Sequence, residues 1–333
     1  MKKIRKMLIA VLALVLTAII GAAIAVASYT PENRRVYEIM KKDGGEAEDA
    51  KNILFLGMDR EAALTDVMML INVNETAERV TVAQLPRDTY AEYTDASYKK
   101  LNGAYNSKDG AAGVAEFLEN AMGIEIDHYV CIGLDTFADM VDAIGGVEID
   151  LPIDMTYSDP AQGLYISLKA GKQTLDGKTA EHFVRFRAEY ADGDLGRIDA
   201  QKLFMSAFFA KIYNDFSPVM AAKLTAAAEG VETDISVSDM LAMGVKTMDF
   251  GSESILFLTL PGKEATATES GASYYVISKE AAAEIMKDYF CADGEFDKDG
   301  HFLNERYEEF KKIYGEYVEY TVNSVSDILR DGI

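Results

Sequence analysis

The hydrophobic pattern of residues 52–85 predicts three consecutive strands. The run "NILFLG" (52–57) is continuously apolar and closes on a glycine, which is typical of a strand covered on both faces. "DVMMLINVN" (66–74) and "RVTVAQL" (79–85) predict two further strands. Because the "NETAE" segment between them is short and polar, we expect these two strands to form a hairpin.

Later segments switch between helical and strand patterns. A helix is predicted at 110–122, with Gly123 as its stop, and another over "DTFADMVDAI", with Asp135 as N-cap and two glycines after it. Further strands are predicted at "HYVCIGL", "VEIDLP" and "ILFLTLP", and further helices at 194–213 and 276–289. Strands and helices mixed along one chain predict α/β layering around one sheet.

The N-terminus carries an apolar segment of a different kind. Four basic residues precede an uncharged run from Met7 to Ala27, and a helix of that length spans about 31 Å, enough for the hydrocarbon core of a bilayer. Positive charge before the run predicts a cytoplasmic N-terminus and an extracytoplasmic remainder. A cleavable signal peptide is the alternative, because Ala25-Val26-Ala27 resembles a small-residue cleavage site. The length of the run favours an uncleaved single-pass anchor.

Composition narrows the classes of function. The chain of 333 residues is 49% hydrophobic, and its formal charge of −22 argues against a nucleic-acid partner. Two cysteines make no disulfide framework, and we interpret Cys131 as a small buried core residue. The three histidines lack the spacing of metal ligands, and the sequence contains no HExxH, GxSxG, P-loop or CxxC motif.

Two carboxylates lie where predicted strands end or begin. Asp59 follows the first strand and Asp66 opens the second. Carboxylates that converge on one point repel each other unless a cation lies between them, and magnesium commonly binds to one or two carboxylates together with substrate phosphates. A pair of ordinary surface turns is the alternative.

Arginines follow other predicted elements. Arg87 leaves the third strand within "LPRD", where a local surface ion pair with Asp88 is the alternative. Asp176 can cap a helix from about Gly177, and that helix must end near Arg185 if Arg185 and its neighbour at position 187 are to share a ligand. A second helix brings the polar residues of "DLGRIDAQ" to one face, namely Asp194, Arg197 and Gln201. Several arginines and two carboxylates suit a pyrophosphate site.

These segments resemble the LytR-CpsA-Psr (LCP) proteins from about Asn52 to Phe290. The motifs that carry the resemblance are "NILFLGMDR", "TDVMMLINVN", "LPRDTY", "KLNGAY", "DAIGGVEID", "GKQTLDGKTAEHFVRFR", "DGDLGRIDAQ" and "LTLPG". The resemblance implies a single α-β-α domain with a central mixed β-sheet, after the transmembrane helix. The organisation expected is 1–6 cytoplasmic, 7–27 anchor, 28–50 linker, 51–290 catalytic domain and 291–333 an extension without an assigned role.

The resemblance also implies an activity. The family transfers phosphate-linked glycopolymers from undecaprenyl pyrophosphate to peptidoglycan of a Gram-positive type wall, examples being teichoic acid and capsule polysaccharide. The implied metal is Mg²⁺, or alternatively Mn²⁺. A polyprenyl-pyrophosphate hydrolase and a non-catalytic protein that binds lipid or wall polymer are the alternatives.

The family's functional residues are carried over by position. Asp59 and Asp66 match the metal-binding aspartates. The implied pyrophosphate-binding residues are Arg87, Lys100, Arg185, Arg187, Asp194, Arg197 and Gln201. Arg87, Asp88, Arg185 and Arg187 are the catalytic candidates, with Asp88 and the metal-binding aspartates considered as general bases. Ala200 departs from the family, which often has arginine there.

Overall fold

A computed structural model of the protein describes most of the chain after residue 49. The described residues are 50–59, 64–93, 99–108, 110–159, 164–186, 194–215, 217–236, 239, 243, 247, 250, 252–267, 271–302 and 320–331. Within these ranges no helix is long and apolar enough to cross a membrane. The predicted anchor at 7–27 lies outside them.

Thirteen strands and eight α-helices have both ends within the described ranges. The strands are β1 (Ala50–Asp59), β2 (Leu64–Asn74), β3 (Arg79–Leu85), β4 (His128–Ile132), β5 (Val147–Leu151), β6 (Met155–Asp159), β7 (Leu164–Leu168), β8 (Gly171–Leu175), β9 (Glu232–Thr233), β10 (Ile255–Thr259), β11 (Gly262–Thr266), β12 (Ser273–Ile277) and β13 (Asn323–Ser324). The helices are α1 (Ala104–Ser107), α2 (Ala111–Met122), α3 (Leu134–Ala143), α4 (Gly177–Arg185), α5 (Asp194–Asp215), α6 (Pro218–Ala227), α7 (Lys279–Phe290) and α8 (Val325–Asp331).

Seven of these strands form a central mixed sheet in the order β13-β10-β3-β2-β1-β4-β9. Strands β1 to β3 are an antiparallel meander, as the short polar turn predicted, whereas β4 joins β1 and β10 joins β3 in parallel. The predicted strand at 147–151 forms, but it pairs with β8 in a separate two-stranded sheet. Two further hairpins, β6–β7 and β11–β12, complete the strands.

Both faces of the central sheet are covered, which explains why β1 reads as an unbroken apolar run. Ile53 and Phe55 point to a core formed with α3, α4, α5, α6 and α8. Leu54 and Leu56 point to the opposite core, formed mainly with α2 and α7. The expected central mixed sheet flanked by helices is therefore confirmed.

Several predicted boundaries were wrong by a few residues. The N-cap of α3 is Gly133, so Asp135 lies within the first turn, where its charge still favours the helix N-terminus. Helix α7 starts at Lys279 rather than 276, because the β-branched residues before it belong to strand β12. Strand β2 starts at Leu64, two residues earlier than predicted, so that Asp66 lies inside the strand.

The end of the chain is an integral part of the domain. Strand β13 pairs antiparallel with β10, and helix α8 packs against α5. Val325 and Ile328 are buried in the core beside the sheet. The first part of the extension is also attached, since His301 hydrogen-bonds through its backbone and ring to Glu92. At least these parts of residues 291–333 support the fold.

Candidate functional site

A β-bulge places Asp66 at the end of the meander. Gly57 of β1 lies opposite Val67, whereas Met58 lies opposite Thr65, so Asp66 is the extra residue of β2. Bulges interrupt the ladder and redirect side chains, and they are frequent beside active sites. The Asp66 side chain is only 2% exposed, and its Oδ1 atom accepts a hydrogen bond from Arg87 Nη1 at 2.9 Å.

The loop after β3 is held rigidly from two sides. On one side, the amides of Leu101 and Asn102 donate to the carbonyls of Thr89 and Arg87, at 2.9 and 3.0 Å. On the other side, the Tyr275 amide of β12 donates to the carbonyl of Asp88 at 2.8 Å. Loops normally sit on the surface and move more than the elements that they connect. These backbone bonds instead fix the direction in which the loop's side chains leave it.

Asp88 links two cations. Its Oδ1 lies 3.7 Å from Arg87 Nε, and its Oδ2 lies 3.1 Å from Lys100 Nζ. Arg87 thus has carboxylates on two sides, Asp66 and Asp88, while Lys100 shares the second of them. The alternative of an ordinary surface ion pair does not fit this arrangement, because all four side chains are at least partly buried and joined in one network.

Helix α4 ends at Arg185, as is required if Arg185 and the arginine at position 187 are to share a ligand. Asp176 caps it by accepting from the Thr179 amide, and Gly177 lets it approach α3, since a Cβ there would collide with the Ala138 carbonyl. Arg185 is the last helical residue, and Phe186 after it is extended. The Arg185 side chain is 4% exposed. Position 187, which the sequence analysis pairs with it, lies outside the described residues.

Helix α5 brings two more of the predicted residues into the interior. Arg197 and Gln201 are both buried, and the spacing of four places them on one face of the helix. Gln201 Nε2 donates to the carbonyl of Val184, next to Arg185, and Gln201 Oε1 accepts from Gln84 Nε2, each at 3.3 Å. Gln201 therefore connects the end of α4 to the end of β3, three residues before Arg87.

Sequence reasoning missed two buried polar residues of this region. Gln84 was assigned to the predicted strand without a role, and Glu181 was not singled out. Glu181 Oε1 accepts a hydrogen bond from Arg185 Nη1 at 2.9 Å. An acidic residue four positions before an arginine on a predicted helix was the available signal for Glu181. For Gln84 the signal was a polar residue between apolar positions at the end of a buried strand.

Asp59 and Asp66 are the predicted metal-binding pair, and the structure describes the side chain of Asp66 alone. Asp59 is the last residue of β1 and lies opposite Leu64, so the backbone brings it close to Asp66, but its side chain lies outside the described residues. Across the described ranges, no group of three or more His, Cys, Asp or Glu residues could hold a metal ion. The side chain of Asp194, the first residue of α5, also lies outside the description.

Histidine 182 adds a titratable group to helix α4. It is half-buried, and this desolvation lowers its pKa below the ordinary value of 6.5. The negative charge of Glu181 opposes the shift, whereas the positive charges of Lys178 and Arg185 reinforce it. The helix therefore carries a neutral imidazole beside its buried ion pair at neutral pH.

A comparison with known protein families shows to which family the chain belongs. The sequence profile of the LytR_cpsA_psr family matches residues 16–290. The chain belongs to the LytR_cpsA_psr family. Residues 291–331, including β13 and α8, lie beyond the part that the family profile matches.

Two relatives illustrate the similarity. One is polyisoprenyl-teichoic acid–peptidoglycan teichoic acid transferase TagV of Bacillus subtilis, 29% identical over 234 residues, or 67% of this chain and 60% of TagV. The other is cell wall biosynthesis protein LcpA of Corynebacterium glutamicum, 27% identical over 270 residues, or 66% of this chain and 51% of LcpA. The matched part thus spans less than two thirds of the length of either relative.

The fold is also similar to that of a solved member of the family. The crystal structure of Bacillus subtilis TagV has a TM-score of 0.61 to this protein, at 26% sequence identity. The alignment covers 72% of this chain and 96% of that one.

Proposed function

We propose that this protein is a phosphotransferase that attaches a glycopolymer from an undecaprenyl-pyrophosphate-linked donor to peptidoglycan. The single observation that carries the proposal is the network of Arg87 with Asp66, Asp88 and Lys100, built on a bulge and a doubly anchored loop. The names of the relatives, a teichoic acid transferase and a cell wall biosynthesis protein, support the same substrate class.

The chemistry requires positioning and charge neutralisation more than a strong base. A hydroxyl of N-acetylmuramic acid forms a bond to the phosphorus next to the donor sugar. The bond from that phosphorus to the bridging oxygen breaks, undecaprenyl phosphate leaves with the electron pair, and the hydroxyl proton passes to solvent. Arg87, Arg185 and Arg197 supply guanidinium groups, which bind phosphate oxygens in pairs.

Asp88 has a different role in this proposal from that of a general base. Its two oxygens face Arg87 and Lys100. A carboxylate held between two cations sets the distance between them and favours their fixed orientation. We therefore propose that Asp88 positions the cations that bind the donor.

We further propose that Asp59 and Asp66 hold Mg²⁺ or Mn²⁺. These residues fit such an ion, because carboxylate oxygens are hard ligands and the backbone register brings the two residues together beside Arg87. When bound there, the ion would neutralise negative charge on the donor phosphates. The protein's own contribution is to hold Asp66 buried and oriented by the bulge.

The apolar run at 7–27 supports a proposal about where the protein lies in the cell. We propose a single-pass membrane protein with a cytoplasmic N-terminus and an extracytoplasmic catalytic domain. In a Gram-positive host the full-length protein should then fractionate with membranes. Recovery of a chain from the medium that starts at Ser28 would show a cleaved signal peptide instead.

Labelled donor tests the reaction itself. The full-length protein is incubated with undecaprenyl-pyrophosphate-linked glycopolymer carrying a radiolabelled sugar, with and without peptidoglycan. The proposal expects label in the peptidoglycan and release of undecaprenyl phosphate that depends on the acceptor. Release at the same rate without peptidoglycan would indicate a hydrolase, and binding of the donor without turnover would indicate a non-catalytic binding protein.

A further inference from the structure

Helix α4 carries a buried ion pair on its last turn. Glu181 and Arg185 are four residues apart, their side chains are 12% and 4% exposed, and Glu181 Oε1 lies 2.9 Å from Arg185 Nη1. Neither the family resemblance nor the matched relatives assign a role to Glu181. Exposed pairs of this spacing stabilise a helix by only about 0.3–0.5 kcal/mol.

Stability alone does not account for a buried pair of this kind. Removing two charges from water costs several kcal/mol per ion, and a well-packed apolar pair of similar volume is often equally stable. Three other residues of α4, Ala180, Phe183 and Val184, pack into the apolar core. An apolar pair would therefore suit the fold, and the presence of charges calls for a function at one of the two residues.

Of the two residues in the pair, Arg185 is the one whose charge has a direct functional explanation. It ends the helix, and Gln201 of the neighbouring helix hydrogen-bonds to the carbonyl of Val184 beside it. Helix α5, which packs on α4, contributes a second buried arginine, Arg197. A long arginine side chain has many rotamers, and fixing one of them costs conformational entropy. The bond to Glu181 fixes this side chain before any ligand arrives.

We propose that Glu181 is a positioning residue that holds the Arg185 guanidinium in its donor-binding orientation. The inference rests on the proposed function, because it assumes that Arg185 binds the donor pyrophosphate. The bond is donated by Arg185 Nη1, and it fixes the plane of the guanidinium group. Glu181 acts through Arg185 and does not touch the reacting atoms.

Two substitutions of Glu181 separate positioning from packing. Glu181→Met keeps the approximate volume but cannot accept the hydrogen bond, whereas Glu181→Gln keeps an oxygen acceptor in the same place. Misplacement of a binding group can cost up to about 100-fold in rate, and we expect Glu181→Met to lower kcat/KM for the labelled donor by at least about tenfold. Glu181→Gln should restore the rate to within about threefold of the wild type, because the acceptor is retained.

A double-mutant cycle tests whether Glu181 acts through Arg185. If it does, Glu181→Met should cost nothing further in the Arg185→Met background. Glu181→Met alone should lower the melting temperature, because it leaves the buried Arg185 charge without its carboxylate. The double variant removes that charge as well, so its melting temperature should recover. Recovery of the melting temperature without recovery of transfer would therefore support the proposal.

The control is a matched pair at the far end of helix α5. Lys211 and Asp215 form an exposed ion pair of the same spacing, 10 and 14 residues beyond Gln201, and Asp215→Met should leave transfer unchanged. Unchanged kcat/KM in Glu181→Met, in an assay where Arg185→Met is impaired, would overturn the inference while leaving the proposed function intact. Additive losses in the double variant would overturn it as well. A wild-type protein that transfers no label would instead refute the proposed function.

Discussion

Arg185 provides the sharpest test at the scale of single residues. Lysine keeps the charge but cannot reproduce the planar fork with which a guanidinium binds phosphate. We therefore expect Arg185→Lys to lower the rate of glycopolymer transfer about tenfold to a thousandfold, which corresponds to roughly 1.4–4 kcal/mol of transition-state stabilisation. Transfer of labelled donor to peptidoglycan measures the effect, and circular dichroism checks the fold.

Arg187→Lys should behave in the same way if the two arginines share a ligand. The controls are Arg34→Lys and Arg35→Lys, which precede β1 and should leave the rate unchanged. Equal, near wild-type rates in all four variants would mean that the helix end is not a phosphate site.

The metal hypothesis is tested at Asp59 and Asp66. We expect Asp59→Ala and Asp66→Ala to abolish the stimulation of turnover by magnesium, because each removes a hard oxygen ligand. Both variants should still unfold cooperatively. Asp66→Ala should also lower the melting temperature, because Arg87 loses the carboxylate 2.9 Å from it. Full magnesium stimulation in both variants would show that these carboxylates bind no ion.

At the residue scale, Arg87, Asp88 and Lys100 can be named as site candidates from the sequence, but their contacts with one another cannot. The convergence of Arg87, Asp88 and Lys100 follows from backbone hydrogen bonds that join distant segments, and no local pattern encodes such bonds. The bulge at Asp66 was missed for a similar reason, since a bulge is a property of two paired strands and not of one.

At the scale of elements, helix α4 predicts a measurable dependence of stability on pH. Burial lowers the pKa of His182, so the unfolded chain binds a proton at a pH where the folded protein does not. Stability should therefore fall as the pH drops from about 7 through the ordinary histidine value of 6.5, and His182→Gln should flatten the curve of melting temperature between about pH 7 and pH 5. Identical slopes for both proteins would refute this assignment.

Elements were predicted well where one local signal dominates. Helix α4 has both its cap and its end at the expected residues, because Asp176 is a strong N-cap and the chain becomes extended at Phe186. Strand β12 was partly missed, because "YYVI" and the following helix together read as one amphipathic segment. Its tyrosine and β-branched residues favour a strand, and pairing with β11 stabilises that conformation.

At the scale of the whole molecule, the end of the chain should contribute to global stability. Ile328 is buried in the core, and we expect Ile328→Ala to lower the free energy of unfolding by about 2–4 kcal/mol. The adjacent Leu329 is 43% exposed and provides a matched control, because Leu329→Ala should change that free energy by less than about 0.5 kcal/mol. Equal effects in urea unfolding would mean that α8 is not packed as described.

No pattern in residues 320–331 predicts this contribution. Strand β13 is two residues long, and helix α8 has seven, so neither reaches the length at which a hydrophobic period becomes recognisable. Their positions depend on β10 and α5, which come much earlier in the chain.

The pairing of β13 with β10 has a consequence for how the chain folds during synthesis. Chains emerge N-terminus first, and the β1–β3 meander needs only neighbouring segments to form. Strand β10 then joins β3, but its outer side stays an open edge until residues 323–324 have been made. Open edges recruit strands from other molecules. A nascent protein interrupted between these two strands would thus be prone to aggregate, even though Arg87, Arg185 and Arg197 had already been made.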